Sequence, residues 1–377
     1  MKKISEICQI VIFMLMITGG MILQFAMPDK HFSENENRIL ESRPSCSMKK
    51  VKDGKWMKEW DKYLTDQFPY RDNWIGLKAY CEIMSGKTEN NGVYFCKGDT
   101  LIKRFEKTDE KLLADNIKAV NELSEKLEIP IWFSLIPGSV SIWKERLPDY
   151  AWNEDQEKMI QDIYTQIDCS TVDNYAQLYA HKDEQIYYRT DHHWTTLGGY
   201  YGYIAVMKAM GKDSVEFSNY QPETVSNRFY GTVYSASGVR WIKPDRIEKY
   251  VSDKGKMVEK IVGETVMESV FYDYEKLAVK DKYAFFFGGN APLLRITGDR
   301  SEEEECKGGS LLVIRDSYSD CEIPFFTDNF EEIWMMDLRY YKFGISYFLS
   351  QHPVDAILIN YSLVNFIEDK NIAMLAG

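Results

Sequence analysis

The chain has 377 residues, 45% of them hydrophobic, and a formal charge of −12 from 58 acidic and 46 basic side chains. That apolar content supplies a large core and excludes a disordered chain, while the length allows one large or two medium domains. The acidic balance excludes the basic face that phosphate neutralisation needs, so nucleic acid is not an expected partner.

Residues 7–27 contain no charge, a run long enough to cross about 30 Å of hydrocarbon as one helix. Lys2 and Lys3 precede it, while Lys30 beyond it is offset by Asp29; this bias puts the N-terminus in the cytoplasm and the body outside. Residues 1–27 therefore read as a signal anchor. A cleaved signal peptide is the rival reading, against which stand the length of the run and an end, Gln24-Phe25-Ala26-Met27, without an A-x-A-like site. Residues 28–60 are polar and punctuated and read as a linker, leaving 61–377 as the body. Six cysteines follow the anchor, Cys46, Cys81, Cys96, Cys169, Cys306 and Cys321. None sits in a C-x-x-C pair, so structural thiols or disulfides are expected and zinc or redox exchange is not.

An amphipathic helix is expected around 56–64. A second spans 108–128, with Leu113, Ile117, Val120, Leu123 and Leu127 at helical spacing and Thr108 as its cap. It leads into the apolar run 129–136, which suits a strand buried on both faces. A helix around 155–167 and a short strand at Thr171-Val172-Asp173 follow, and helix alternating with strand implies a parallel α/β sheet. Thr195 or Thr196 can cap a helix to about 210 in which Gly198 and Gly199 suggest close packing. Residues 211–282 lose the rhythm and read as an insertion carrying β-structure; its Tyr230, Tyr234 and Trp241 either stack on sugar rings or fill the insertion's own core. Strands resume at 311–314, 333–336 and 356–359, with a helix at 340–350 between the last two.

Two segments carry chemistry. The first is Thr190-Asp191-His192-His193-Trp194-Thr195, which places a carboxylate two residues before an imidazole in a chain with five histidines. The second is Leu311-Leu312-Val313-Ile314-Arg315-Asp316-Ser317, a buried strand that ends in a serine. A serine hydroxyl needs a base within hydrogen-bond reach and a third group to fix that base's tautomer. Asp191 and His193 suit those two roles, and Ser317 lies where ligands gather, past the carboxyl end of a strand. The plainer readings are a serine that caps a helix, an Asp–His pair that only ties a loop, and an Asp-His-His metal site without the partner spacing such sites show. No G-x-S-x-G elbow is present.

These residues resemble the DHHW family, named for the tetrapeptide at Asp191 to Trp194, whose members look like relatives of alginate O-acetyltransferases. Glu36-Asn37-Arg38, Asp66-Gln67-Phe68-Pro69-Tyr70-Arg71-Asp72, Asn91-Gly92-Val93-Tyr94, Gly288-Gly289-Asn290 and Asp316-Ser317-Tyr318 match it further. The resemblance implies an SGNH-hydrolase-like α/β fold with a permuted parallel sheet flanked by helices. It also implies Asp191 as orienting acid, His193 as base and Ser317 as nucleophile. The G-x-N-D block of ordinary SGNH enzymes is absent. Arg339, Asn360 and Asn365 are the candidates for oxyanion donors, and Asn290 and Trp194 complete the candidate substrate contacts; Gly288-Gly289-Asn290 also reads as a tight turn. The implied activity is O-acyl transfer, in particular acetyl, to an envelope polysaccharide, without metal or soluble cofactor, the acyl group coming from a partner of the membrane-bound O-acyltransferase class. An esterase using the same residues and a non-catalytic glycan-binding scaffold are the alternatives.

Overall fold

The computed structural model describes residues 2–106, 109–298 and 309–376. The chain divides into two compact units, residues 1–91 with 234–241, and residues 92–233 with 242–377.

The first unit begins with helix α1 (Lys2–Ala26). From Ile4 to Ala26 its mean hydropathy is 2.0, and its apolar side chains are exposed, so it is long and apolar enough to cross a membrane. The segment expected as a linker is folded: Phe32 and Ser33 pair with Ile39 and Arg38. Helices α2 (Lys55–Asp66) and α3 (Arg71–Met84) follow. Arg38 forks onto Asp66, with Nη1 2.8 Å from Oδ2, and Arg71 pairs with Glu36. Charged pairs between residues 36–38 and 66–71 therefore make the polar stretch part of this unit, which ends at Asn91 rather than near residue 60.

In the second unit, helix α4 (Glu110–Lys126) packs its apolar stripe of Ile117, Val120 and Leu123 inward. The expected cap Thr108 lies outside the described residues, and the observed cap is the Asp109 carboxylate, which accepts from Lys111 N. Eight strands form the sheet: β1 (Ile131–Ile136), β2 (Ser170–Val172), β3 (Lys256–Val262), β4 (Thr265–Ser269), β5 (Leu293–Gly298), β6 (Ser310–Arg315), β7 (Glu332–Met336) and β8 (Ala356–Ser362). Their order is β4-β3-β5-β7-β6-β8-β1-β2. Strands β7, β6, β8, β1 and β2 run parallel, whereas β5, β3 and β4 extend the sheet antiparallel from β7. The sheet is thus mixed, and two strands of the expected insertion belong to it rather than to a separate layer.

Parallel strands covered on both faces need apolar residues at every position, and Leu311 to Ile314 and Ile357 to Ile359 are fully buried. Helix α5 (Gln156–Tyr164) is capped by Asp155 and α6 (Thr196–Ala209) by Thr195. A Cβ at Gly198 would lie 2.2 Å from Ile186 O, and one at Gly202 2.4 Å from the Trp194 ring. Close packing is therefore why a glycine-rich helix is kept despite its low propensity. The helix expected over 340–350 is only α7 (Ile345–Gln351), because Tyr340 N and Tyr341 N turn back onto Asp337 O and Gly344 starts the helix anew. Among the described residues no cysteines are bridged; Cys306 lies outside them.

Candidate active site

Ser317 follows β6 after one residue, Asp316, at the carboxyl end of the parallel strands, flanked by the ends of β7 and β8. From Leu311 through Phe326 it is the one residue that is not buried. The cap of the 3-10 turn Ser317–Cys321 is Asp316, whose side chain accepts from Tyr318 N at 2.9 Å, so the serine hydroxyl is released from the capping role. Asp316 is itself fixed from β8: its Oδ2 accepts from Ser362 N at 2.9 Å, Ser362 Oγ at 2.7 Å and Asn365 Nδ2 at 2.6 Å.

The acid and base lie on the loop before α6. Tyr188 N donates to His193 O at 3.2 Å and Thr195 N to Ile186 O at 2.9 Å, closing the loop into a narrow hairpin. Within it His193 Nδ1 is 2.6 Å from Asp191 Oδ1, and His193 Nε2 is 2.8 Å from Ser317 Oγ. Asp191 also accepts from His193 N at 3.0 Å, from Thr232 N at 2.7 Å and from the Thr232 hydroxyl at 2.9 Å. A Cβ on Gly231 would sit 2.2 Å from Asp191 Oδ2, so only glycine lets this carboxylate reach Thr232. Asp245 holds the start of the loop, accepting from Arg189 N at 3.1 Å and Thr190 N at 2.8 Å. The Tyr283 ring stacks on His193 at 3.9 Å and 11°, and its hydroxyl donates to Ser317 O at 3.1 Å.

Both members of the pair are buried. Burial opposes the Asp191 charge, but the His192 and His193 imidazoles outweigh it and hold the carboxyl well below the usual range. Burial, then the neighbouring His192, lowers the His193 pKa against the pull of Asp191, so the imidazole is neutral and can accept a proton at neutral pH. Asp191, His192 and His193 also group closely enough for a metal ion. Of the possible ligand atoms, Asp191 Oδ2 serves Thr232, His192 Nδ1 lies 2.7 Å from Thr232 Oγ1, and His193 uses both ring nitrogens.

The remaining candidates divide. Trp194 is fully buried and donates to Tyr318 O at 2.8 Å, so it ties the two loops together and does not face a substrate. Asn360 lies inside β8, fully buried. Its Nδ2 donates to Ser319 Oγ at 2.9 Å and Glu322 Oε2 at 2.5 Å, and its carbonyl accepts from Ser134 Oγ at 2.6 Å. With both amide hydrogens used it has none for an oxyanion. Asn365 is beside the serine loop, bonded to Asp316. Arg339, a third exposed, clamps Asp337 through Nε and Nη2 at 2.9 and 2.7 Å. Asn290 is exposed and accepts from Arg339 Nη2 at 3.4 Å; Gly288 and Gly289 before it have positive φ of 73° and 94°, a turn. In the expected insertion Tyr234 is buried and Trp241 is half exposed.

Sequence reasoning missed Gly231, Thr232, Asp245 and Tyr283, which support the pair from segments of loose patterning. It also missed Arg315, fully buried below the serine with Nη1 2.9 Å from Asp320 Oδ1, and the buried Glu322, whose carboxyl burial pushes up to about 8.

The mixed, largely parallel sheet and its helices make this an α/β protein of SGNH-hydrolase-like fold, with a serine, an imidazole and a carboxylate in line at the carboxyl edge of its parallel strands. The chain belongs to the DHHW family, whose sequence model, described as DHHW protein, matches residues 85–336. A DHHW family protein from Eubacterium siraeum superposes with a TM-score of 0.64 at 24% identity, over 76% of this chain and 95% of that one. Bacillus cereus PatB1, solved with a sulfonyl adduct, superposes at 0.59 and 19% identity over 75% and 97%. The O-acetyltransferase domain of Pseudomonas putida AlgJ aligns at 0.46 and 14% identity over 76% and 98%. No curated protein matches the sequence.

Proposed function

We propose that the chain is a membrane-anchored, extracytoplasmic O-acyltransferase that moves an acyl group, in particular acetyl, onto a hydroxyl of a cell-envelope polysaccharide. The observation that carries this reading is the unbroken line from Ser317 Oγ to His193 Nε2 at 2.8 Å and from His193 Nδ1 to Asp191 Oδ1 at 2.6 Å. A degenerate scaffold would have no reason to keep such a line pointed at the one residue from Leu311 through Phe326 that is not buried. The apolar α1 supports the anchor, and family membership supports transfer. Sulfonyl electrophiles capture activated hydroxyls, and PatB1, which shares the fold, has been solved with a sulfonyl adduct.

In the reaction, His193 Nε2 takes the Ser317 proton as Oγ attacks the donor carbonyl, and returns it to the departing group. Asp191 stays ionised and holds the Nδ1 proton, so the imidazolium is stabilised as it forms. The acyl-serine is then attacked by a sugar hydroxyl whose proton passes to His193 and from there to Ser317 Oγ. Arg339, after β7, and the Ser317 backbone N–H, which opens the 3-10 turn, are the proposed oxyanion donors, each typically worth about 3–4 kcal/mol. No metal or soluble cofactor is required. The acyl group is delivered across the membrane by a partner of the membrane-bound O-acyltransferase class.

The test is mass spectrometry of the full chain in detergent after incubation with an activated acetyl ester, alongside Ser317→Ala and His193→Ala. An adduct on Ser317 that both substitutions abolish, passed on to added glycan, is the expected result. Hydrolysis without transfer would make the protein an esterase. No adduct and no ester turnover would sink the enzymatic reading in favour of a glycan-binding scaffold.

A further inference from the structure

Helix α3 has two apolar faces, and only one of them is used in its own unit. Gly76 and Ala79 are buried, with Ile75 and Ile83 half-buried beside them. On the opposite side Tyr70, Trp74, Leu77 and Met84 are 61, 49, 50 and 70% exposed, and Cys81 is exposed among them. At 3.6 residues per turn these five positions fall within an arc of about 80°. Scattered exposed apolar residues are ordinary, but a continuous stripe on a helix that already buries its other face marks an interaction surface.

The start of the stripe is bonded to the end of the apolar helix. Gln67, one residue before the exposed Phe68, accepts at its carbonyl from Gln24 Nε2 in the last turn of α1 at 3.1 Å. Its side chain exchanges two 2.9 Å hydrogen bonds with the backbone of Lys30, and Tyr63 donates to Asp29 Oδ1 at 2.9 Å. Phe68 and Tyr70 are therefore fixed where the chain leaves α1, the level at which hydrocarbon gives way to headgroups. Tryptophan and tyrosine concentrate at that depth because their rings are apolar and their edges polar. Trp74 arrives with its indole N–H already donated to Pro69 O at 3.2 Å, and the exposed Lys78 flanks the stripe where its ammonium can reach headgroups.

We propose that the exposed face of α3 is a membrane-docking surface, seated in the headgroup–acyl boundary of the bilayer that α1 crosses. The inference rests on the anchor reading and deepens it: the unit touches lipid twice, once across the bilayer and once along its surface.

The experiment reconstitutes the full chain into phosphatidylcholine nanodiscs, with and without lipid brominated near the carbonyl end of the acyl chains, and follows tryptophan emission. The chain has nine tryptophans, so the reading is a difference. Trp74→Phe should reduce the bromine-dependent loss of emission, and Met84→Trp should increase it. If neither variant changes that loss while the chain still floats with liposomes, the docking surface is wrong and the anchor survives. The same null together with a nanodisc mass showing two chains would assign the stripe to a second copy and overturn the proposal. A chain that does not float at all removes the anchor reading and this inference with it.

Discussion

The two loops that meet at Ser317 and His193 are held in opposite ways. The serine loop is an extension of the parallel sheet, its Asp316 receiving hydrogen bonds from Tyr318, Ser362 and Asn365, and the strands beneath it are fully buried. The acid–base loop owes its shape to residues that follow it by some forty to fifty-five positions, Gly231, Thr232 and Asp245, which lie outside the parallel strands. The nucleophile is thus a product of the core, and the base is a product of the insertion. Changes to the first are expected to cost stability as well as activity; changes to the second should cost activity first.

The largest expected effect comes from Gly231→Ala. Its Cβ cannot coexist with the Asp191 carboxylate, so the loop must move, costing about 10²-fold or more in turnover and only on the order of 1 kcal/mol in stability. A variant with wild-type ester turnover and thermal midpoint would break the comparison. Asp316→Asn and Thr232→Val form the sharpening pair. The first removes a charge that accepts several buried hydrogen bonds and should cost on the order of 3 kcal/mol in denaturant unfolding. The second should leave unfolding nearly unchanged while lowering kcat about tenfold, the worth of one charge-assisted bond; equal stability losses would erase the distinction between the loops.

A smaller effect concerns pH. The base must be unprotonated, and its pKa is lowered by burial and then by His192. Plots of kcat/KM should therefore rise through an inflection below the ordinary histidine value of about 6.5 and be flat at neutrality, and His192→Gln should move that inflection upward. An unchanged acid limb would remove His192 from the account. A second pH effect lies beneath the serine, at Glu322, which burial pushes up to about 8. The folded state keeps this proton while the unfolded chain releases it near the ordinary glutamate value, so stability is full below that value and falls as pH rises towards 8. Glu322→Gln should flatten the decline, which is at most about 1.4 kcal/mol per pH unit; an identical slope in both proteins would show the carboxyl ionised in the fold.

Where the chain repeats a short physical rule, its sequence was legible. The helix over 110–126 followed by β1, and strands β6, β7 and β8, announce themselves because a parallel strand covered on both faces must be apolar throughout. Asp191, His193 and Ser317 were readable as a group from residue type and strand position, and the structure places them within hydrogen-bond reach. The antiparallel wing was not readable as sheet. Strand β3 fully buries only Val258, and β4 is exposed from Thr265 to Glu268, so neither shows an apolar alternation to read. Asn360 was misread because its position just past an apolar run looked like a loop, whereas β8 continues through Ser362 and buries it. The support from Thr232 and Gly231 was invisible because a glycine required by a carboxylate forty residues earlier leaves no periodic trace.

Because Asp191 and His193 are two residues apart on the same closed hairpin, their 2.6 Å contact is internal to a single piece. The 2.8 Å contact from His193 to Ser317 is the step of the line that spans two pieces. Assembly of the machinery is then a problem with one coordinate, the sliding of one loop against the other along the Trp194–Tyr318 strut. A movement of half an ångström there would stretch the Ser317 contact from 2.8 Å to about 3.3 Å, weakening it while leaving the acid and base as well paired as before.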